Sequence, residues 1–595
     1  MCGIFGYAGK KDAGSVIIEG LKRLEYRGYD SWGVALASKD GIEVIKKVGA
    51  IGDFEELEKL PFSNIGIGHT RWATHGGVSN VNAHPHFSAD KSFVVAQNGI
   101  VENYQELKNT LITKNHKFIT ETDTEVIVRL IEEKLKSTDN LFDAIKKAFV
   151  DLKGRNTIII LPTSGKEVYA VRNGSPLVIG IAQGEIFIAS DTLSFGNHTN
   201  RVIYLNNYEM IAYKTENEQL DIYNVNNGNK ISYQESLIEQ DNVDIEIQGH
   251  DHYMIKEIFE QKDTIRNAVQ YSIEELHDLI EAINKSNHVY TVGAGTAGFA
   301  AGQIAYYLRK IAKINVTELK SYDIDSYKEI FCDKDLIIAV SQSGETADTI
   351  EALEIAKNKG VKIASIVNMQ GSTITRISDY QFLSRSGPEI CVASTKAFTA
   401  QISWGFLLAM SLVGKHDDAV NEIYRISEML ENYFRSKKFF KSEKVFKEIA
   451  KNFANKEHFF VLGKGQNYYI ALEGALKIKE ITYKHFEGFS AGELKHGVIA
   501  LIEKETPVIA IISDDEYKED MLSAVAQVKA RGAFVVGISD QDNQLFNTFI
   551  PSCKSDYIDS LTKIIPFQLI SYYLGIQLGN SPDKPRNLAK SVTVK

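Results

Sequence analysis

Cys2 stands directly behind the initiator methionine, in MCGIFGYAG. Removal of Met1, which a small second residue permits, leaves a thiol beside its own α-amine. Reference pKa values of about 8.5 and about 7.7–8.0 match the two groups for proton transfer, so the nucleophile would carry its own general base. On composition alone a small buried hydrophobe is the commoner case for such a residue. In QNGIVENYQELK, Asn98 and Gly99 offer a side-chain amide and a backbone N–H, the makings of an oxyanion hole. Asn-Gly also favours a hairpin turn, but a helical pattern follows instead of a second strand. Arg71 in HTRWATHG suits bidentate binding of a carboxylate. Asp123 in TETDTEV suits an amino group, or stabilises a helix start beside a Thr122/Glu125 capping box.

A second set of residues suits phosphorylated carbon chemistry. SQSGET places the hydroxyls of Ser341, Ser343 and Thr346 and the amide of Gln342 at a strand-to-helix junction, a natural phosphate cradle. Ordinary N-capping needs only one hydroxyl. Glu345, in the same loop, must point away from an anion. ALEGALKIKEITY carries Glu473, Lys477 and Glu480 at i, i+4 and i+7, on one helical face. They read as a surface ion pair or as charge lining a cleft; the apolar character of the helix favours the cleft. GELKHG adds Lys495 and His496, the histidine a candidate acid/base near neutrality. Lys590, in the tail PRNLAKSVTVK, reads on physics alone as a solvated terminal lysine.

Two motifs point elsewhere. GAGTAG (Gly293, Gly295, Gly298), with Glu318 further on, imitates a dinucleotide fingerprint. Its later counterpart GKGQNYY lacks the third glycine, which weighs against an NAD-linked enzyme. His84-Pro85-His86 lacks a third ligand nearby, so no metal is expected.

The elements that must position these groups differ along the chain. At 595 residues, with 44% hydrophobic and 24% charged residues, the chain is globular and too long for one core. Up to about Tyr213, clustered strands and helices predict a layered α+β domain, with NTIIILP, EVYAVRNG, EIFIASD and RVIYL as a strand meander. The polar, Asn-rich stretch from Lys214 to about His250, including NVNNGNK, reads as a domain boundary. Beyond it strands alternate with helices, as in a parallel sheet covered on both faces. HVYTVGAG and HFFVLGKG, then LIIAVSQSGE and PVIAIISDDE, mark two copies of one unit. The first copy's loop welcomes an anion; Asp514, Asp515 and Glu516 in the second repel one. The division expected is 2–240, a linker and connecting helix at 241–280, subdomains at 281–425 and 450–580, and a tail at 581–595.

Composition narrows the setting. A net charge of −10 without a basic patch gives no nucleic-acid footprint. Four scattered cysteines (Cys2, Cys332, Cys391, Cys553) and early charges at Lys10, Lys11 and Asp12 predict a reduced, cytoplasmic protein without a signal peptide. The run Ile402 to Gly414 is too short to span a bilayer and reads as a buried helix, so no membrane is implied.

Cys2-Gly3-Ile4, EYRGYDS, HTRWATHG, NAHPH, QNGIVEN and TETDTEV together resemble the glutaminase domain of N-terminal-nucleophile glutamine amidotransferases, over roughly the first 240 residues. The resemblance implies a layered αββα fold in which Cys2 attacks the side-chain amide of glutamine and ammonia is released. It gives Asn98 and Gly99 the oxyanion, gives Arg71, His75 and Asp123 the glutamine, and makes Trp72 a gate for an ammonia channel. SQSGETADT, VASTKAFTAQ, ALEGALKIKEITY, GELKHG and PRNLAKSVTV resemble the isomerase half of the glutamine–fructose-6-phosphate aminotransferase family. That likeness implies two α/β sugar-isomerase (SIS) subdomains with parallel sheets, usually in a homodimer, no cofactor, and glucosamine 6-phosphate as product. By it, Ser341, Gln342, Ser343 and Thr346 hold the phosphate, Thr296 lies near the sugar, and Val392 and Ser394 line the pocket. His496 assists ring opening, Lys590 forms a Schiff base, Glu480 moves a proton between C1 and C2, and Lys477 is nearby. The chain departs from the family pattern at Ala294 and Ala297, where Cys and Ser are usual, and at Val498, where proline is usual. A glutaminase fused to a sugar-phosphate-sensing SIS module is the alternative; survival of Glu480, His496 and Lys590 speaks against it.

Overall fold

The computed structural model describes residues 2–52, 61–238, 247–555 and 558–593. The chain divides into two compact units, Met1–Val243 with Ala589–Lys595, and Asp244–Leu588.

In the first unit, strands such as Asn156–Pro162 are buried along their whole length. A strand apolar on both sides must be covered on both sides, and two stacked antiparallel sheets achieve this. The eight-stranded sheet runs, through its centre, Glu185–Ala189, Gly3–Ala8, Ile65–Arg71, Ser31–Ser38. The seven-stranded sheet runs Glu209–Lys214, Glu167–Asn173, Asn156–Pro162, Phe93–Gly99. Ile4 and Ile67 of one meet Val94, Ile159 and Ala170 of the other. Helix Ala13–Leu24 covers the outer face of the first sheet through Ile17 and Leu21, and helices Thr124–Leu135 and Leu141–Val150 cover the second. The αββα layering is as expected.

The meander is not. Asn156–Pro162 and Glu167–Asn173 belong to the seven-stranded sheet, whereas Glu185–Ala189 and Arg201–Tyr204 belong to the eight-stranded one. Strands buried on both faces carry no alternation to say which sheet they join. NVNNGNK lies inside this unit as the turn between Gln219–Asn224 and Lys230–Ile231, the Asn224 side chain accepting from the N–H groups of Asn226 and Asn227.

The second unit holds two five-stranded parallel sheets of identical topology. One runs Val316–Lys320, Val289–Gly293, Leu336–Ser341, Lys362–Val367, Tyr380–Leu383; the other runs His485–Ser490, His458–Gly463, Pro507–Ile511, Phe534–Ser539, Thr548–Pro551. In both, the order reverses between the first and third strands of the sequence. A crevice opens there, outside the carboxyl ends, where doubly wound sheets bind ligands. The repeat read from HVYTVGAG and HFFVLGKG therefore names the two switch-point strands. Helix Lys396–Ser411 is buried throughout, as its apolar run requires. Among the described residues, no helix is long and apolar enough to cross a membrane.

Candidate active sites

Strand pairing sets the thiol. Gly3 lies opposite Thr70, which brings Cys2 to the Arg71-Trp72 end of the neighbouring strand. Cys2 Sγ donates to the Trp72 carbonyl at 3.6 Å and accepts the Trp72 N–H at 3.4 Å. Burial pushes the thiol pKa up, opposed by the positive amino terminus, the Trp72 N–H and Arg71. Asn98 closes the same sequence of contacts from the other sheet. Its Nδ2 donates to Ser190 Oγ at 2.8 Å, and that oxygen also accepts the Ile4 N–H at 2.9 Å. One serine thus ties the nucleophile's strand to the candidate oxyanion donor, leaving one Asn98 N–H for a ligand. Gly99 has φ +127°, and a Cβ there would lie 1.9 Å from the Arg155 carbonyl oxygen; only glycine fits.

Arg71 is buried and builds the loop that follows it. Its guanidinium donates to the carbonyls of His75 (2.5 Å), Gly76 (3.2 Å) and Gly77 (3.2 Å). Two of its five N–H groups remain for a carboxylate. Glu121 holds the far side of this loop through the Gly77 N–H and the Asn82 amide. The ring of half-buried His75 packs edge-on against Tyr104.

Asp123 Oδ2 accepts the Val101 N–H at 2.8 Å and the Gln97 amide at 3.5 Å, and burial holds its carboxyl above the usual range. It makes no side-chain cap on helix Thr124–Leu135. The Thr122/Glu125 capping box does not form either. Glu125 accepts the N–H groups of Ile119 and Thr120 and pairs with Arg129 at 2.8 Å, while Thr122 Oγ1 bonds His86 and Thr120. An arginine one turn along outcompetes the short-range box.

The histidines belong to a buried polar core. His84 Nδ1 accepts the Gln97 N–H; its Nε2 then donates to Thr124 Oγ1, whose hydroxyl donates to Gln97 Oε1. Gln97 in turn donates to Asn156 and Asp123. Burial pulls His69, His84 and His86 well below their ordinary pKa, so all three are neutral. Among the described residues no group of three His, Cys, Asp or Glu could hold a metal.

In the first parallel sheet, the loop after Leu336–Ser341 is organised by its own hydroxyls. Ser341 Oγ accepts the Gly344 N–H at 2.9 Å and Ser343 Oγ the Glu345 N–H at 3.1 Å. Gly344 (φ +65°) packs where a Cβ would meet Ser372 Oγ at 2.0 Å. Thr346 is the N-cap of helix Ala347–Asn358 but makes no side-chain cap bond, so its helix does not use the hydroxyl. Glu345 turns away, accepting the Thr373 N–H at 2.7 Å. Gln342 is half-buried, its carbonyl accepting the Asn368 N–H.

Thr296 opens helix Gly295–Lys310 and donates to Glu473 Oε1 at 3.2 Å. On helix Tyr468–Thr482, Lys477 Nζ lies 3.5 Å from Glu473 and 2.7 Å from Glu480. Glu473 and Lys477 are fully buried, so this is no surface pair. Burial drives Glu473 up to about 8 despite Lys477; the two glutamates hold Lys477 charged against the burial penalty. Val392 is buried, its N–H on the Asp583 carbonyl, and Ser394 donates to Glu389 at 2.8 Å. His496 is exposed at the end of the turn Glu493–His496, and half-buried Lys590 falls in the first unit.

Glu318, the acid of the dinucleotide-like motif, is taken by Tyr469 and Lys320. The second sheet's crevice is self-neutralised. Asp514 pairs with Lys518 and Lys554, Glu516 with Lys310, and fully buried Lys563 lies 2.5 Å from both Ser513 Oγ and Asp559. Ser190, the His84–Gln97–Thr124 set and Lys563 gave no sequence signal.

Fold and sites together define a glutamine amidotransferase joined to a pair of SIS domains. A glutamine amidotransferase domain model matches residues 69–196, and a SIS domain model matches 282–411 and 452–574. The chain is 41% identical to a glutamine–fructose-6-phosphate aminotransferase [isomerizing] of Pyrococcus horikoshii and 40% identical to one of Thermococcus kodakarensis, each covering 100% of both chains. The solved C-terminal domain of glucosamine-fructose-6-phosphate aminotransferase from Francisella tularensis matches with TM-score 0.51 and 33% identity, over 57% of this chain and 99% of that one. The chain belongs to the family of isomerising glutamine–fructose-6-phosphate aminotransferases.

Proposed function

We propose that this protein transfers the amide nitrogen of L-glutamine to D-fructose 6-phosphate and isomerises the product to D-glucosamine 6-phosphate, releasing glutamate. In this reading Met1 is removed, and the Cys2 amine takes the thiol proton as sulfur attacks the amide carbon. The oxyanion takes a hydrogen bond from the free Asn98 N–H and from Gly99, where one donor is typically worth about 10²–10³ in rate. Collapse expels ammonia with the proton returned from the amine, and water then hydrolyses the thioester. Arg71, His75 and Asp123 hold the glutamine, and Trp72, bonded to the thiol through its backbone, gates the ammonia.

On the sugar side, Ser341, Gln342, Ser343 and Thr346 bind the phosphate, with Thr296, Val392 and Ser394 lining the pocket. His496 assists ring opening. Lys590 condenses with C2, losing water; ammonia then displaces the lysine from the imine. Glu480 carries a proton from C1 to C2, steadied by Lys477. Family likeness supports a cytoplasmic homodimer.

One observation carries the reading: the thiol held on Trp72 with Asn98 fixed to its strand through Ser190, in a chain that also bears the hydroxyl loop at a SIS switch point. The Glu473–Lys477–Glu480 array, with Glu473 and Lys477 fully buried, favours catalysis over sensing, since a sensor needs no charge there. Incubation with glutamine heavy-labelled at the amide nitrogen plus fructose 6-phosphate is expected to yield an aminohexose phosphate one mass unit heavier. Unlabelled product, or labelled ammonia with no amino sugar, would refute the proposal. Cys2→Ala is expected to abolish glutamine use while leaving sugar-phosphate isomerisation measurable.

A further inference from the structure

Residues 580–586 are fastened to the rest of the second unit at three points. Asn580 Nδ2 donates to the Ile481 carbonyl at 2.9 Å. The Asp583 carboxylate accepts the N–H groups of Tyr253 (2.9 Å) and Met254 (2.8 Å) at the start of helix Tyr253–Ala268, while its carbonyl accepts the Val392 N–H at 3.1 Å. The Arg586 N–H donates to Tyr483 Oη at 2.8 Å, and its guanidinium stacks 4.2 Å from the centre of the Tyr483 ring.

Tyr483 is an unusual residue for its place. It ends the helix that carries Glu473, Lys477 and Glu480, in a left-handed conformation with φ +59°. Glycine is the usual occupant there, and a bulky side chain costs roughly 1–2 kcal/mol. Such strain persists where the side chain has another use. Here both ring and hydroxyl are engaged by Arg586, four residues before Lys590. Four residues span at most about 14 Å, so the tether limits where the lysine can lie.

We propose that Asp583, Arg586 and Tyr483 form a tether that fixes the departure of the C-terminal tail, and that they are positioning residues for Lys590 in imine formation. The proposal rests on the assignment of Lys590 as the residue that condenses with C2. In that step the Lys590 amine forms a C=N bond and water leaves; borohydride delivers hydride to the imine and leaves a stable secondary amine.

The experiment traps the full-length protein with borohydride in the presence of fructose 6-phosphate and no glutamine, and follows the mass of the C-terminal peptide. Wild type is expected to be labelled at Lys590. Tyr483→Gly is expected to label about ten-fold more slowly, with KM for fructose 6-phosphate and the basal glutaminase rate unchanged. Its thermal midpoint is expected to hold or rise, because glycine relieves the backbone. Tyr483→Phe, which keeps the stacking, should fall between, and Asp583→Asn should slow labelling without changing KM. Trapping of wild type at Lys590 together with Tyr483→Gly labelled at the wild-type rate overturns the tether and leaves the imine assignment standing. Failure of wild type to label at Lys590 overturns both.

Discussion

The two parallel sheets of the second unit are built alike, but the loops at their switch points differ in charge. In register, Val292 pairs with Ala339 and Leu462 with Ala510, so Ser343 of the first crevice corresponds to Asp514 of the second. The first crevice offers hydroxyls, a glycine and an uncapped helix start. In the second, Asp514 is matched by Lys518 and Lys554 and Glu516 by Lys310 from the first copy's helix, and Lys563 and Asp559 fill the core beneath. Topology supplies a place for a ligand, and the loop decides whether it is used. On the proposed function, the same order of strands gives a phosphate site once and a structural core once.

The sharpest way to break this contrast is to import the second loop's charge into the first. Ser343→Asp puts a carboxylate against a phosphate. Like charges 4 Å apart repel by about 4 kcal/mol at an effective dielectric of about 20, so Kd for fructose 6-phosphate is expected to rise about 10²–10³-fold by calorimetry. A change within about threefold would separate this loop from the phosphate. Next in size, Lys563→Met strands the buried Asp559 and is expected to cost about 3–5 kcal/mol in denaturant unfolding. Adding Asp559→Asn should recover most of it, since both charges are then gone.

Thr346→Ala sharpens the comparison from the binding side. Its hydroxyl makes no cap bond, so sugar-phosphate affinity should drop about tenfold, the worth of a hydrogen bond to a charged group, with no fall in thermal midpoint. Equal loss of both would make it a structural cap. A further effect concerns pH. Glu473 titrates at about 8 in the fold, against about 4.3 for a free glutamate. The folded state therefore holds an extra proton between these values, and this group's contribution to stability falls as pH rises to about 8, then levels. Glu473→Gln removes that decline, so thermal unfolding from about pH 5 to 9 should show a flatter profile than wild type.

Much of this was legible in sequence where chemistry is local. Cys2, Asn98-Gly99 and SQSGET are contiguous signals, and the bonds of Cys2 and of the SQSGET serines run to an adjacent strand or to neighbours. Apolar runs and alternating elements gave the layering and the parallel sheets. What escaped depends on partners far along the chain. Ser190 meets Asn98 across 92 residues and Ile4 across 186, and nothing in its flanking residues announces that. The spacing of His84 and His86 predicts no metal, but it does not reveal the threonine hydroxyls that take them. The Thr122/Glu125 box failed because spacing cannot weigh Arg129 against a backbone N–H. Lys563 is an isolated cation in an apolar helix, and only the fold reveals Asp559 and Ser513 around it.

The most direct test of the contrast is a structure of the protein soaked with fructose 6-phosphate. Phosphate density is expected at the Ser341–Thr346 loop, within hydrogen-bonding distance of the Thr346 hydroxyl, and none at Ser513–Tyr517. Phosphate bound at the second loop, or at neither, would contradict the account.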